Sequence, residues 1–160
     1  MESDRARARP ATDGARARPA TNGARARPAT NGARARLASL RGREAEAAAA
    51  DKLRANGFRV LWQNLRIGSL ELDLVAKKGD LVVVVEVRAR GPGSYQKPLA
   101  SISRTKRRTL LRGVRALWKG RLSKMLDVKR VRIDVAAVTR DVNGALAIEW
   151  IAGAFTEDDA

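Results

Sequence analysis

Three segments with strand-like sequences follow one another between residues 58 and 90, and this run constrains the fold more than any other feature. The segments are FRVLWQNLR, LELDLVA and LVVVVEVRAR, at residues 58–66, 70–76 and 81–90. Their β-branched and alternating residues are typical of strands, and KKGD between the last two supplies turn residues. The run predicts three consecutive strands in an antiparallel meander.

Helical and strand patterns on either side of this run extend the domain. Residues 42–57 are rich in strong helix formers and end on Asn-Gly, a pair typical of a helix C-terminus. Residues 104–119 place apolar side chains on one stripe and basic ones on another, and residues 131–139 and 145–155 again have strand patterns. The order α-β-β-β-α-β-β predicts a mixed α/β fold with a central sheet of about five strands flanked by helices.

The amino-terminal segment is a nine-residue repeat. ARARPATDG is followed by two copies of ARARPATNG and a partial fourth copy. Regular prolines interrupt helices, and the segment lacks the large apolar residues that a core needs. We therefore expect residues 1–41 to form a disordered basic tail and residues 42–160 to form one domain. The tail is either an electrostatic tether for nucleic acid or an expanded repeat without a selected role.

Charge and missing residue types limit the chemistry. The formal net charge is +16, of which +7 lies in residues 1–41 and +9 in the rest, so the domain itself favours polyanions. The absence of Cys and His excludes thiolate nucleophiles, Ser-His-Asp triads and Cys- or His-ligated zinc. A metal held here would be Mg²⁺ or Mn²⁺ on carboxylates. No apolar run reaches the roughly 20 residues of a membrane span, which predicts a cytoplasmic protein without a membrane partner.

Acidic residues within the predicted strands need an explanation, because burying a charge is costly without a partner. A turn of two or four residues after the second strand pairs its odd positions with even positions of the third. Glu71, Asp73, Glu86 and Arg88 then project from one face, and the leucines of LELDL face a core. Either a divalent ion holds the acids together, or Glu86 forms an ion pair with Arg88 or Arg66 and Glu71 is solvated.

An acid on one strand followed by E-x-K on the next is the pattern of the PD-(D/E)xK nuclease superfamily, which LELDLVAKKGDLVVVVEVRAR resembles. More narrowly, residues 42–155 resemble the YraN-like bacterial proteins, predicted endonucleases with a restriction-endonuclease-like core similar to Holliday-junction resolvases. The matching segments are GREAEAAA at residues 42–49, N-x-R at 64–66, ELDLVA at 71–76, VEVRAR at 85–90, Pro98, Ile102, Lys106, RIDV at 132–135 and AF at 154–155.

The resemblance implies a metal-dependent endonuclease that hydrolyses DNA and selects branched or single-stranded structures. Asp73 and Glu86 would be its metal ligands, with the carbonyl oxygen of Val87 as a third. Glu71 matches a further acid of the family, and Glu46 matches a first-helix glutamate that lies near the metal in related nucleases. Mg²⁺ or Mn²⁺ is the implied cofactor, and symmetric cutting of a junction would require a homodimer.

Two positions depart from the family pattern. Arg88 replaces the lysine of E-x-K, and because arginine does not readily release a proton, only positioning and charge stabilisation remain for it. Leu70 stands where the family has glycine. Lys106 or Lys97 is a candidate to deliver an ammonium from a neighbouring element. The alternative to an active nuclease is therefore a binding module of the same fold with impaired catalysis.

The second predicted helix carries a basic stripe suited to phosphate contacts, and the resemblance implies DNA as the partner in preference to RNA. Its candidate nucleic-acid-binding residues are Lys106, Arg107, Arg108, Arg112 and Arg115. The alternative is a solvated helix face, and a third hypothesis is a basic interaction protein of an RNA complex. Trp62, Trp118 and Trp150 are candidates for stacking on bases, although core packing is the commoner role of such residues.

Overall fold

A computed structural model describes residues 30–91 and 98–156. The elements follow the predicted order α-β-β-β-α-β-β, with two short 3₁₀ turns added. They are α1 (Thr30–Ala55), β1 (Arg59–Ile67), β2 (Leu70–Lys78), β3 (Leu81–Arg90), a 3₁₀ turn (Pro98–Ser101), α2 (Arg104–Gly120), a second 3₁₀ turn (Leu122–Lys124), β4 (Arg130–Arg140) and β5 (Leu146–Phe155). Within these ranges no helix has the length and apolar character of a membrane span.

The five strands form one mixed sheet in the order β1-β2-β3-β4-β5. All neighbours are antiparallel except β3 and β4, which are parallel. Parallel strands need a crossover connection, and α2 lies within the connection between β3 and β4. The predicted mixed α/β architecture is thereby confirmed.

The helices cover opposite faces of the sheet because the strand residues alternate in direction. Val82 and Val84 of β3 belong to a core cluster that includes Leu110 of α2. Val83 and Val85 belong to the other cluster, with Ala49, Ala50 and Leu53 of α1. All four valines are fully buried, so β3 is the centre of a three-layer α/β/α arrangement.

Helix α1 begins earlier than the sequence pattern indicates. It starts at Thr30, so residues 30–41, which the pattern assigns to the tail, are helical. The last proline of the repeat is Pro28, and the Ala-, Arg- and Leu-rich stretch that follows contains no further helix breaker except isolated glycines. The tail residues 1–29 lie outside the described part of the chain, as does Lys97.

Contrary to expectation, the leucines of β2 do not all face the same side of the sheet. Leu72 packs in the cluster on the α2 side, whereas Leu74 packs in the cluster on the α1 side. The register between β2 and β3 extends only from Lys78↔Leu81 to Leu74↔Val85. Beyond Leu74 the strand follows β1 alone, so alternation along the β2–β3 pair no longer fixes the orientation of its side chains.

Candidate functional site

Asp73 lies where β2 and β3 separate. The last paired residues are Leu74 and Val85, while β3 continues alongside β4 as far as Arg90. In the fork between the strands, the backbone N–H of Val87 donates to Oδ2 of Asp73 at 2.8 Å. From Leu74 to Lys78 the register pairs odd residues of β2 with even residues of β3, as predicted. Beyond it, the hydrogen bond from Val87 and the electrostatic interaction with Glu86 show that Asp73 lies next to that acid.

Glu86 is a buried carboxylate between two cations. Its side chain is 2% exposed, with Nζ of Lys106 3.0 Å from Oε2 and Nε of Arg88 3.5 Å from Oε1. Among the described residues, neither Glu86 Oε2 nor Arg88 Nε has a hydrogen bond of acceptable geometry. The two contacts are therefore ion pairs, and they leave a buried oxygen without the directed donor that such an atom usually has.

Lys106 reaches Glu86 because of where α2 begins. The hydroxyl of Ser103 caps the helix by accepting the backbone N–H of Lys106 at 3.2 Å. From there Lys106 shares a helical stripe with Leu110, Gly113 and Leu117, the residues of α2 that face the sheet. The sequence predicts an ammonium from either Lys106 or Lys97. The sequence feature that favours Lys106 is its alignment with the apolar residues of α2 that pack on the sheet.

Gly113 sets the distance between α2 and β2. A Cβ built at this position would lie 2.9 Å from Cδ2 of Leu72, whose side chain is fully buried. A larger residue would force the side chain of Leu72 or the helix itself to shift. The close approach thus helps to place the first turn of α2 over the acidic pair.

The environment of Asp73 disfavours its charged form. The pKa of its carboxyl is raised from 3.8 to about 6, first by burial and next by the charge of Glu86. The N–H of Val87 and the ammonium of Lys106 oppose this shift, and the charge of Glu46 adds to it. A carboxyl group with a pKa this high beside another acid gains from any additional cation.

The donors of this pair suit a hard divalent ion. Mg²⁺ is often held by one or two carboxylates and completes its shell with water and substrate oxygens. Asp73 and Glu86 supply two carboxylates, and the buried Oε2 lacks a directed hydrogen bond. The hydrogen bond from the N–H of Val87 holds the backbone of this residue beside Asp73. That the carbonyl oxygen of Val87 is a third metal ligand stays a prediction.

The other two predicted acids stand apart from the pair. Within the described ranges, no three acidic side chains are grouped closely enough to hold a metal. Glu46 accepts a hydrogen bond from Nδ2 of Asn64 at 2.9 Å, so it acts on Asp73 through its charge. Glu71 is half-exposed, and Oε2 of its carboxylate lies 3.7 Å from Nη2 of Arg66. This exposed ion pair agrees with the alternative in which Glu71 is solvated and binds no metal.

The predicted phosphate-binding residues of α2 divide into three groups. Lys106 faces the acidic pair. Arg107 turns inward, where it donates to the carbonyl oxygens of Ile102 and Leu99 and stacks over Phe155 at 4.9 Å. Arg108, Arg112 and Arg115 are exposed. The basic stripe therefore exists, with Arg107 holding the chain before α2 against the helix.

Asp134 is the second fully buried acid and is satisfied within the fold. Arg132 donates to both of its oxygens at 2.8 Å, Nε1 of Trp150 donates at 3.1 Å and the N–H of Gly153 at 2.9 Å. The bonds from Trp150 and Gly153 tie β5 to β4, whereas Arg132 pairs with Asp134 within β4. The structure thus separates a structural acid, Asp134, from the incompletely satisfied acid pair.

Comparison with known proteins places the chain in a family. The family described as "Uncharacterised protein family UPF0102" matches residues 45–138, more than half of the chain. A UPF0102 protein of Sorangium cellulosum is 40% identical over 71% of this chain and 79% of its own length. UPF0102 protein YraN of Salmonella arizonae is 37% identical over 70% of this chain and 81% of its own. The chain belongs to the UPF0102 family, as the resemblance to YraN-like proteins predicted.

Proposed function

We propose that this protein is a Mg²⁺- or Mn²⁺-dependent endonuclease that acts on DNA. The observation that carries the proposal is the pairing of two acids from neighbouring strands at the β2–β3 fork, with an ammonium from α2 beside them. Asp73 and Glu86 would hold the ion, which supplies charge neutralisation at the phosphate and a water of lowered pKa. The residue set needs no His or Cys.

The position of Lys106 supports this role for the site. Its ammonium is 3.0 Å from Glu86 Oε2, and its side chain is still 34% exposed. It therefore lies at the boundary between the buried acid and solvent, where a phosphate would approach. An ammonium there can donate to a phosphate oxygen and stabilise charge that develops during hydrolysis. We assign to Lys106 the function that the motif lysine has in E-x-K.

Arg88 then has a secondary role. It is on the strand position of the motif lysine but lies 3.5 Å from Glu86, farther than Lys106. A guanidinium there neutralises part of the charge of Glu86. It orients the carboxylate without taking part in proton transfer.

Charge at the start of α2 also favours a phosphate ligand. The first turn carries no acid but has Arg104, Lys106 and Arg107. Cations at a helix N-terminus oppose the helix dipole, at a cost of about 0.3–1 kcal/mol each. A phosphodiester bound near this turn would offset that cost through Arg104, Lys106 and the positive end of the dipole, since Arg107 is bound to the carbonyl oxygens of Ile102 and Leu99.

The test is cleavage of a panel of DNA structures. Single-stranded, forked, four-way and duplex DNA are incubated with the full chain in Mg²⁺, in Mn²⁺ and in chelator. We expect nicks only with a divalent ion, and none above background in Asp73→Ala. Cleavage in chelator, or equal cleavage by Asp73→Ala, would refute the proposal.

A second candidate function is nucleic-acid binding without hydrolysis. It is favoured by the two cations that already neutralise Glu86, since these compete with a metal for the same carboxylate. Such a protein would bind DNA with strong salt dependence and bind Mn²⁺ weakly. Turnover by the wild type that depends on both Asp73 and Glu86 excludes it.

A further inference from the structure

A groove beside α2 is separate from the acidic pair. It lies between α2 and the strands β4 and β5, with a volume of about 500 Å³, within the range of about 300–1,000 Å³ typical of ligand clefts. Its lining combines apolar and cationic side chains. The residues used below are Leu111, Val114, Trp118 and Phe155, which are apolar, and Arg115 and Arg132, which are cationic.

Trp118 differs from the other two tryptophans. Trp62 packs against the core with the guanidinium of Arg121 5.2 Å above its ring, and Trp150 donates to Asp134. Trp118 keeps 38% of its surface exposed although it lines the groove. A partly exposed Trp in a concave apolar site has a ring face to offer to a ligand.

The charges around the groove indicate the ligand class. Arg115 belongs to its lining, and Arg108, Arg112 and Lys119 are exposed on the same helix. Arg132 also lines the groove, but its charge is offset by Asp134. A ligand that matches this surface carries negative charge beside a flat apolar group. Nucleotides have both features, because a base stacks on aromatic rings and its phosphate pairs with Arg or Lys. An apolar peptide would match the groove but not the cations.

We propose that this groove binds an unpaired base of a nucleic acid, stacked on Trp118, with the adjoining phosphates on the cations of α2. This inference rests on the proposed function in taking nucleic acid as the ligand, and it defines the substrate class as DNA with unpaired bases. Trp118 is twelve positions after Lys106 on one helix, about 18 Å along its axis. A strand that passes the acidic pair therefore reaches the groove within a few nucleotides.

Binding measured in chelator tests the proposal without cleavage. Fluorescence anisotropy with a labelled single-stranded thymidine oligonucleotide compares the full chain with Trp118→Ala, Trp118→Phe and Leu126→Ala. Leu126 is 98% exposed and lies outside the groove, so it controls for loss of a surface apolar side chain. We expect Trp118→Ala to bind about tenfold more weakly and Trp118→Phe to stay within about threefold, because a ring still stacks. Trp118→Ala and the wild type should have equal affinity for fully paired duplex DNA.

Tryptophan fluorescence supplies a second readout. Base stacking should quench the wild-type emission, and Trp118→Phe should lose that quench while it still binds. Unchanged affinity of Trp118→Ala for the oligonucleotide, or an equal loss for oligonucleotide and duplex, overturns the proposal. So does a wild-type dimer that Trp118→Ala converts to a monomer, since the groove would then be a protein interface. Binding that depends on Trp118 without any metal-dependent cleavage leaves the groove in place and refutes the nuclease.

Discussion

The ammonium of Lys106 on α2 lies 3.0 Å from the buried carboxylate of Glu86 on β3. This contact joins the helix to the strand fork and puts an ammonium beside the buried acid. Arg88, at the motif position, is farther from the same carboxylate. The cation of the site thus comes from a different element of the fold.

Removing Lys106 should destabilise the protein. Breaking a buried ion pair costs about 3–5 kcal/mol, but Lys106 is one-third exposed and Arg88 still faces Glu86. We expect Lys106→Met to lower the free energy of unfolding by about 1–3 kcal/mol, measured by urea denaturation. Adding Glu86→Gln should recover much of this loss. Lys119→Met, on an exposed position of α2, should change it by less than about 0.5 kcal/mol. A similar loss in both lysine variants would contradict the pairing.

The two cations should differ in their effect on cleavage. Lys106→Ala should slow single-turnover hydrolysis by about 100-fold or more, because it removes a donor positioned for the phosphate. Arg88→Lys keeps a positive charge beside Glu86, so we expect the rate constant for hydrolysis to change by less than about threefold. A tenfold change in rate would require about 1.4 kcal/mol in the activation barrier. A larger loss of rate in Arg88→Lys than in Lys106→Ala would indicate that the catalytic cation is Arg88 on β3.

The raised pKa of Asp73 should make stability depend on pH when no metal is present. The folded state holds the proton up to about pH 6, whereas the unfolded carboxyl releases it near 3.8. Stability from this group is therefore complete below pH 3.8 and is lost as pH rises through 6. We expect Asp73→Asn to be about 1–2 kcal/mol more stable than the wild type at pH 7.5 in chelator and equal to it near pH 4. Unfolding curves at the two pH values measure this, and a difference independent of pH would contradict it.

The close packing of α2 on β2 should be visible at Gly113. Gly113→Val forces side-chain atoms into the buried Leu72 and should cost about 2–3 kcal/mol, with a lower melting temperature. Gly120 is the matched control, because a Cβ there meets no atom within 4 Å. We expect Gly120→Val to have a smaller effect. Equal destabilisation by the two variants would show that helix propensity, and not packing, decides the result.

Much of this fold follows from local patterns. The turn before Leu81 predicts the pairing of odd residues of β2 with even residues of β3, and the structure has that register from Leu74 to Lys78. The apolar stripe of α2 predicts which side of the helix meets the sheet. These features depend on neighbours in sequence, and periodicity records them directly.

Other features depend on contacts between distant residues. Alternation gave Leu72 and Leu74 the same face, but β2 leaves β3 at Asp73 and the two leucines enter different clusters. The partner of Glu86 depends on how α2 docks, which the packing of Gly113 on Leu72 determines. The sequence pattern starts α1 at Gly42 because the repeat is typical of a tail, whereas the part of the chain that follows Pro28 contains good helix formers.

Mn²⁺ binding measured by isothermal titration calorimetry tests most directly whether the strand acids form a metal site. Glu71→Gln is the matched control, because Glu71 is on the same strand as Asp73 and pairs with Arg66 near the surface. We predict that the wild type and Glu71→Gln bind Mn²⁺ alike at pH 7.5, and that Asp73→Asn binds more than about tenfold more weakly. Equal affinity of all three proteins for Mn²⁺ would contradict the account.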